Sequence, residues 1–257
     1  MRAGDVERVR SLPLFSGVGE PLFGALTSGA HVQRFPAGTL LLLEGDPVDF
    51  LYVLIEGQVE LHGTWNDKET VLSILRPVST FILAAVVLDA DALMSARTLE
   101  RCEILMIPGD AVRQGMAADP GFASAVSRDL AGGFRSLVRT VKNQKLRSGV
   151  ERLANYLIAA HTAQESGASI KIPYEKRVLA SLLGMTPENL SRAFATLQRH
   201  GVGVQGALVT ISNVAALRAL AKPDPLIDMH APRSGDIVAD ADAEIWLTRS
   251  SRAHYGA

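Results

Sequence analysis

Residues 178–192, Val-Leu-Ala-Ser-Leu-Leu-Gly-Met-Thr-Pro-Glu-Asn-Leu-Ser-Arg, admit few folds. An apolar run of Val178, Leu179, Leu182 and Leu183, with small Ala180 where a second helix can approach, ends at Gly184. Glycine takes the left-handed conformation after a helix most cheaply. Thr186 offers an N-cap oxygen, and Pro187 suits a first helical position, where no amide hydrogen is needed. The spacing predicts a second helix from about Pro187, with Leu190, Phe194 and Leu197 inward and Glu188, Ser191 and Arg192 opposite. Such a helix-turn-helix presents the start of its second helix to the major groove of DNA. Arg192 can fork a guanine edge, Glu188 can accept from a cytosine amino group, and Ser191 can reach a base or a phosphate. A solvated face with an i,i+4 pair between Glu188 and Arg192 is the plainer alternative. The glycine turn and Thr-Pro cap in the same segment weigh against it.

Charge follows the same division. The formal net charge is −1, yet residues 128–206 hold 12 Lys or Arg against 5 Asp or Glu, while residues 1–127 hold 9 against 16. An acidic front joined to a basic middle is what a nucleic-acid face on one part of a chain produces.

Other classes fall away on composition. No apolar stretch is long enough to span a bilayer, and no signal-peptide core follows Met1-Arg2. A single cysteine, Cys102, excludes internal disulfides and agrees with a cytoplasmic setting. It also excludes an iron–sulfur cluster held by four cysteines of one chain. No activated nucleophile, metal-ligand cluster or phosphate loop is visible, so an enzyme is not expected.

The front half carries short β-rich runs at Thr39–Gly45, Phe50–Gly57, Gln58–His62, Val71–Leu75 and Leu99–Ile107, a pattern that favours a barrel or sandwich. A long helix follows from about Phe122 to Asn143. Val126, Leu130, Gly133, Leu137 and Val141 make a narrow apolar stripe along it, suited to a two-helix homodimer seam or to packing on the chain's own barrel. A break at Ser148-Gly149 reads as a hinge, and Gly201–Ser212 as a hairpin wing. The expected class is α+β, divided into residues 1–118 (β-roll), 119–147 (dimerisation helix), 148–220 (winged helix-turn-helix) and 221–257 (tail). Ile245-Trp246-Leu247 is an apolar patch in that tail.

This order of parts resembles the CRP/FNR superfamily over about residues 10–220. The signposts are Leu12-Pro-Leu-Phe15, Phe35-Pro-Ala-Gly-Thr39 with Glu44-Gly-Asp46, Leu51–Val59, and Leu183–Arg192. The resemblance implies an N-terminal β-roll sensor, a dimer helix and a C-terminal reader of double-stranded DNA, with RNA polymerase as a partner and no membrane. It implies that Glu188, Ser191 and Arg192 read a half-site of the type TTGAT-N4-ATCAA, with Thr186, Asn189 and Lys176 beside them.

The effector end departs from cyclic-nucleotide binders. A Glu for the ribose and an Arg-Ser pair for the phosphate are expected there. The turn here reads Thr80-Phe-Ile-Leu-Ala-Ala85, and Ala92–Thr98 has no Arg-Ser in register, Arg97 falling late. A buried phosphate would lack partners, so cAMP is not expected. The slot of Phe81, Ile82, Leu83, Met94 and Leu137 suggests a flat apolar ligand. The stretch resembles the nitric-oxide-responsive NnrR/DNR-like branch and the haem-binding HbaR. That resemblance implies haem b, with nitric oxide or oxygen as the signal and nitrogen-oxide or low-oxygen metabolism under control. His62 and His31 are the candidate axial ligands. Strand alternation puts Val59 and Leu61 inward and His62 outward, so a solvent-facing histidine is the alternative. An effector-independent regulator, or one with a degenerate cyclic-nucleotide pocket, is the other reading.

Overall fold

The computed structural model describes residues 3–15, 17–164 and 169–228. The Ile245–Leu247 patch lies outside the described residues. Two helices, α1 (Ala3–Arg10) and α2 (Glu20–Ser28), lead into strands β1 (His31–Phe35), β2 (Leu40–Leu42), β3 (Phe50–Glu56), β4 (Val59–Trp65), β5 (Lys68–Leu75) and β6 (Ser79–Phe81). Helix α3 (Leu83–Leu88), strands β7 (Ser95–Thr98) and β8 (Cys102–Pro108), and helix α4 (Gly109–Ala118) complete the front domain. Its eight strands form two antiparallel sheets, ordered β1-β8-β3-β6 and β2-β7-β4-β5.

Strands β3 and β8 are buried almost throughout, because α2 and α4 pack on the sheet that holds them. That two-sided burial explains why both read as continuous apolar runs rather than alternating ones. Gly57 closes the β3–β4 turn at φ +89°, where an added Cβ would lie 2.5 Å from the Arg101 carbonyl oxygen. Leu99–Arg101, expected within a strand, instead make the turn into β8. The apolar run at residues 40–43 is less buried than its composition suggests, with Leu40 and Leu43 about half exposed.

Helix α5 (Pro120–Leu146) runs for 27 residues, roughly 40 Å. Asp119 caps it by accepting from the Phe122 N–H at 2.8 Å, with Pro120 at the first position. Arg147 turns to extended backbone, and α6 (Gly149–Gln164) starts anew. The sequence Ser148-x-x-Glu151 forms a capping box there: Glu151 accepts from the Ser148 N–H at 2.8 Å, and Ser148 Oγ accepts from the Glu151 N–H at 3.3 Å. The expected break at Ser148-Gly149 is thus a helix end followed by an independently capped helix start.

A second core gathers around α6, β9 (Ser169–Lys171), α7 (Lys176–Leu182), α8 (Pro187–Gln198), β10 (Val202–Gln205), β11 (Leu208–Ile211) and α9 (Val214–Ala221). Leu153, Leu157, Leu179, Leu190 and Leu197 are its centre. The wing hairpin β10–β11 pairs as expected and takes β9 as a third strand. Residues 225–228, part of the segment read as a tail without a motif, form a short helix α10 (Pro225–Asp228) against α5. The architecture is the expected α+β arrangement of β-sheet sensor, long helix and C-terminal helix-turn-helix. No helix among the described residues is long and apolar enough to cross a membrane.

Candidate nucleic-acid interface and sensor site

The turn between α7 and α8 is set by local chemistry. Gly184 sits at φ +62°, its N–H bonds to the Ser181 carbonyl at 2.8 Å, and the Met185 N–H bonds to the Ala180 carbonyl at 2.8 Å. This is the Schellman closure that a glycine after a helix permits. Thr186 Oγ1 then accepts from the Asn189 N–H at 3.3 Å and starts α8. Leu190, Phe194 and Leu197 are buried, while Glu188, Asn189, Ser191 and Arg192 are exposed on the outer face. The structure therefore places the candidate readers Glu188, Ser191 and Arg192 on one exposed stretch of α8 with Asn189, and Thr186 at its head.

Their mutual bonds differ from the simplest expectation. Arg192 Nη2 donates to Asn189 Oδ1 at 2.5 Å, and Ser191 Oγ donates to the Pro187 carbonyl at 3.0 Å. The Thr186 hydroxyl, the Glu188 backbone N–H and the Arg192 charge hold the Glu188 carboxyl below its ordinary range. Arg192 is thus pre-oriented by Asn189 rather than by an ion pair with Glu188. Lys176 is exposed at the start of α7, separate from the α8 face.

The predicted dimer stripe divides in two. Val126 is fully buried in the sensor core, and Leu130 packs against that core, so the first turns of α5 belong to the chain's own roll. Leu137 and Val141 are exposed, at 60% and 48%. Phe134 and Val138, which the sequence reading passed over, are exposed beside them at 67% and 42%. Residues 134, 137, 138 and 141 recur by threes and fours and share one helix face. Gly133 lies next to this face with open space around its Cα. Val126 and Leu130 therefore belong to the chain's own core, and the exposed part of the predicted stripe is Leu137 and Val141 with Phe134 and Val138 beside them.

Of the residues predicted to line the effector slot, Phe81, Ile82, Leu83 and Met94 join the front core, whereas Leu137 lies outside it, exposed on α5. Phe81 stacks on Tyr52, ring centroids 5.1 Å apart. Ile82 adopts φ +64°, a left-handed conformation costly for a β-branched residue and found where structure serves a site. Thr80 Oγ1, just before it, donates to Asp129 Oδ2 on α5, so the sensor turn is tied directly to the long helix. Among these residues the turn offers no carboxylate and no guanidinium. Arg97 is engaged elsewhere, with Nη2 2.5 Å from Glu60 Oε1 and 2.8 Å from Glu69 Oε1.

The two candidate histidines, His62 and His31, are not placed beside the apolar slot as an axial haem role would require. His62, a candidate axial ligand with a solvent-facing position as the alternative, takes neither place, and its side chain is only 5% exposed. Alternation is obeyed, since Val59 and Leu61 are buried on the opposite face, but Arg97 and Glu69 lie against the second face as well. Both ring nitrogens of His62 face carboxylates, not an apolar slot. His31 is exposed on edge strand β1, its ring edge-on to Phe50. Cys102 is buried, its Sγ–H donating to the Gln58 carbonyl at 3.2 Å, and burial pushes its thiol pKa up.

Two interdomain contacts escaped sequence reasoning because they join residues far apart in the chain. Strand β5 meets helix α7 where the Val71 N–H donates to Ser181 Oγ at 2.7 Å, and just outside both elements Arg76 Nη2 donates to the Tyr174 hydroxyl at 3.0 Å. At the hinge, one guanidinium serves both sides. Arg152 Nη1 donates to the carbonyls of Arg147 (2.7 Å) and Gln144 (3.3 Å), while Nε and Nη2 donate to those of Leu183 (2.8 Å) and Gly184 (3.3 Å).

Comparison with known proteins agrees with this division. Residues 32–119 match the cyclic nucleotide-binding domain family, and residues 151–220 match the Crp-like helix-turn-helix domain family. The chain is 25% identical over 215 residues to the CRP-like cAMP-activated global transcriptional regulator of Mycobacterium tuberculosis, covering 81% of this chain and 96% of that protein. A putative cyclic nucleotide binding protein of Ruegeria pomeroyi is 28% identical, with a TM-score of 0.56 over 87% of this chain and 100% of that one. FixK2 of Bradyrhizobium japonicum, 17% identical, shares the fold with a TM-score of 0.65 over 76% of this chain and 98% of that one. With both domains matched in the same order, the chain belongs to the CRP/FNR family of transcription regulators.

Proposed function

We propose that the chain acts as a homodimer that reads a palindromic duplex through Glu188, Ser191 and Arg192, gated by an uncharged small effector rather than by cAMP. The engagement of Arg97 carries the effector part of this reading. Its guanidinium is held by Glu60 and Glu69, and the Thr80–Ala85 turn supplies no charge of its own. A cyclic phosphate in the turn would lose water without gaining a cation. The Mycobacterium regulator is described as cAMP-activated; the residues here support a different ligand chemistry.

The route from effector to DNA follows named contacts. A ligand that favours one setting of the Thr80–Ala85 turn acts on α5 through Thr80 and Asp129. The far end of α5 acts on the helix-turn-helix through Arg152. Such a ligand shifts the equilibrium only by its difference in affinity between the two settings.

The experiment is fluorescence anisotropy on a labelled TTGAT-N4-ATCAA duplex and a scrambled duplex, across a salt series, with and without cAMP. Salt-sensitive preference for the palindrome, unchanged by cAMP, is expected. Tight cAMP binding that alters affinity for DNA would remove the effector reading. Haem b, and with it nitric oxide or oxygen, rests on the family resemblance of residues 80–99 alone. A spectrum after haem addition that is indistinguishable from free haem would end it.

A further inference from the structure

A buried polar cluster on β4 is used by neither the reader nor the sensor turn. Glu60 and His62 stand two residues apart, hence on one face of the strand, with side chains 2% and 5% exposed. Glu69 from β5 and Arg97 from β7 close against them. His62 Nδ1 is 3.7 Å from Glu60 Oε1 and Nε2 is 3.6 Å from Glu69 Oε2, both beyond hydrogen-bonding length. Nδ1 is buried and has no hydrogen-bond partner among the described residues.

Two carboxylates, Glu60 and Glu69, face the one guanidinium of Arg97, so the groups around the imidazole are net acidic. Arg177 on α7 acts on Glu69 only through space. Buried charges and unpaired buried polar atoms are costly unless something completes them. A cation bound at Nδ1 beside Glu60 satisfies that nitrogen and brings positive charge to the carboxylates, with Glu69, which faces Nε2, moving across to join it.

We propose that Glu60, His62 and Glu69 bind a divalent transition-metal ion of the zinc class. One ligand atom from each lies within 4.8 Å of the other two. Zinc bonds of about 2.0–2.2 Å to imidazole nitrogen and carboxylate oxygen bring neighbouring donors to roughly 3.3 Å. Glu69, 34% exposed, closes that difference by turning Oε2 inward about the bond its Oε1 makes with Arg97. One nitrogen with two carboxylate oxygens suits zinc, whereas calcium and magnesium take oxygen donors. Arg97 keeps its bonds to the same carboxylates and orients them, as partners of metal ligands commonly do.

The site adjoins the contact between domains. Glu69 stands two residues before Val71, whose N–H meets Ser181 on α7. Fixing Glu69 therefore steadies the stretch of β5 on which the first helix of the reader rests.

The test uses the full chain, stripped with a chelator and dialysed against zinc chloride, with metal counted by mass spectrometry. About one zinc per chain is expected. At least tenfold weaker binding is expected in both His62→Ala and Glu69→Gln, while His31→Ala, at an exposed histidine, leaves it unchanged. Zinc is also expected to raise the melting temperature of the wild type but not of Glu69→Gln, whose partly exposed position tolerates the change. Wild-type protein without stoichiometric zinc, or a Glu69→Gln variant that binds and responds like wild type, would overturn the proposal.

Discussion

Arg147 and Asp228 form a two-pronged ion pair where the long helix ends: Nη1 meets Oδ1 at 2.5 Å and Nη2 meets Oδ2 at 2.6 Å. The Arg147 side chain is 7% exposed, and its fork also reaches Asn143 Oδ1 at 3.2 Å and the Lys222 carbonyl at 3.4 Å. Residues after α9 are thereby pinned to the hinge. Bidentate carboxylate pairs have the geometry that surface pairs lack. Asp228→Asn is expected to cost about 1–2 kcal/mol, read as a lower urea midpoint with an unchanged slope.

Arg192→Ala should weaken binding to the palindrome and relax base preference by about 1–3 kcal/mol, while leaving the fold intact because the side chain is exposed. Lys176→Ala should instead weaken all duplexes alike and reduce the salt slope by about one. Anisotropy titrations on matched and mutated half-sites distinguish the two. Equal losses from both substitutions on every sequence would contradict the assignment of Arg192 to base reading.

Leu137→Glu places a charge on the exposed face of α5 and is expected to yield monomers in sedimentation equilibrium, with the thermal transition of the sensor domain little changed. Val126→Ala should do the reverse. It opens a cavity in the sensor core and costs about 2 kcal/mol without changing the association state.

Glu151 gives a pH dependence of known sign. The Ser148 N–H and hydroxyl, then Lys222, hold its carboxyl below the ordinary 4.5. Stabilisation from a depressed carboxylate is complete above the ordinary value and is lost as pH falls through the folded-state value. The stability gap between wild type and Glu151→Ala, about 1 kcal/mol near neutrality, is therefore expected to narrow on acidification below pH 4.5.

Gly184→Ala tests the reader turn. The added methyl would approach Gln144 Oε1 to 2.2 Å, but that amide is the end of a flexible side chain and can move aside. The φ of +62° cannot be evaded. A cost of about 1–2 kcal/mol is expected from the conformation alone, and Gln144→Ala should not rescue it.

What the chain disclosed in advance was local chemistry. Gly184, Thr186 and Pro187 specify their turn within a few bonds, so the helix-turn-helix geometry was legible residue by residue. The position of His62 was not. Alternation assigned its face correctly, but whether that face meets water depends on Arg97 and Glu69, which come from other strands. The α5 stripe failed for a related reason: periodicity marks an apolar face but not the height at which the roll stops covering it, which falls between Leu130 and Phe134. The docking of Asp228 on Arg147 joins residues 81 positions apart, and no pattern in either segment announces it.

Arg152 has a consequence for the DNA itself. One guanidinium fastens the last turn of α5 to the turn that launches α8, so each reading helix is held at a set offset from the end of its own long helix. In a dimer built along those helices, the gap between half-sites becomes a dimension of the protein, as the jaw opening is of a caliper. Adding a single base pair to the spacer displaces the second half-site by about 3.4 Å and rotates it around the duplex. A reader clamped in this way follows that displacement only by twisting the DNA or by releasing Arg152.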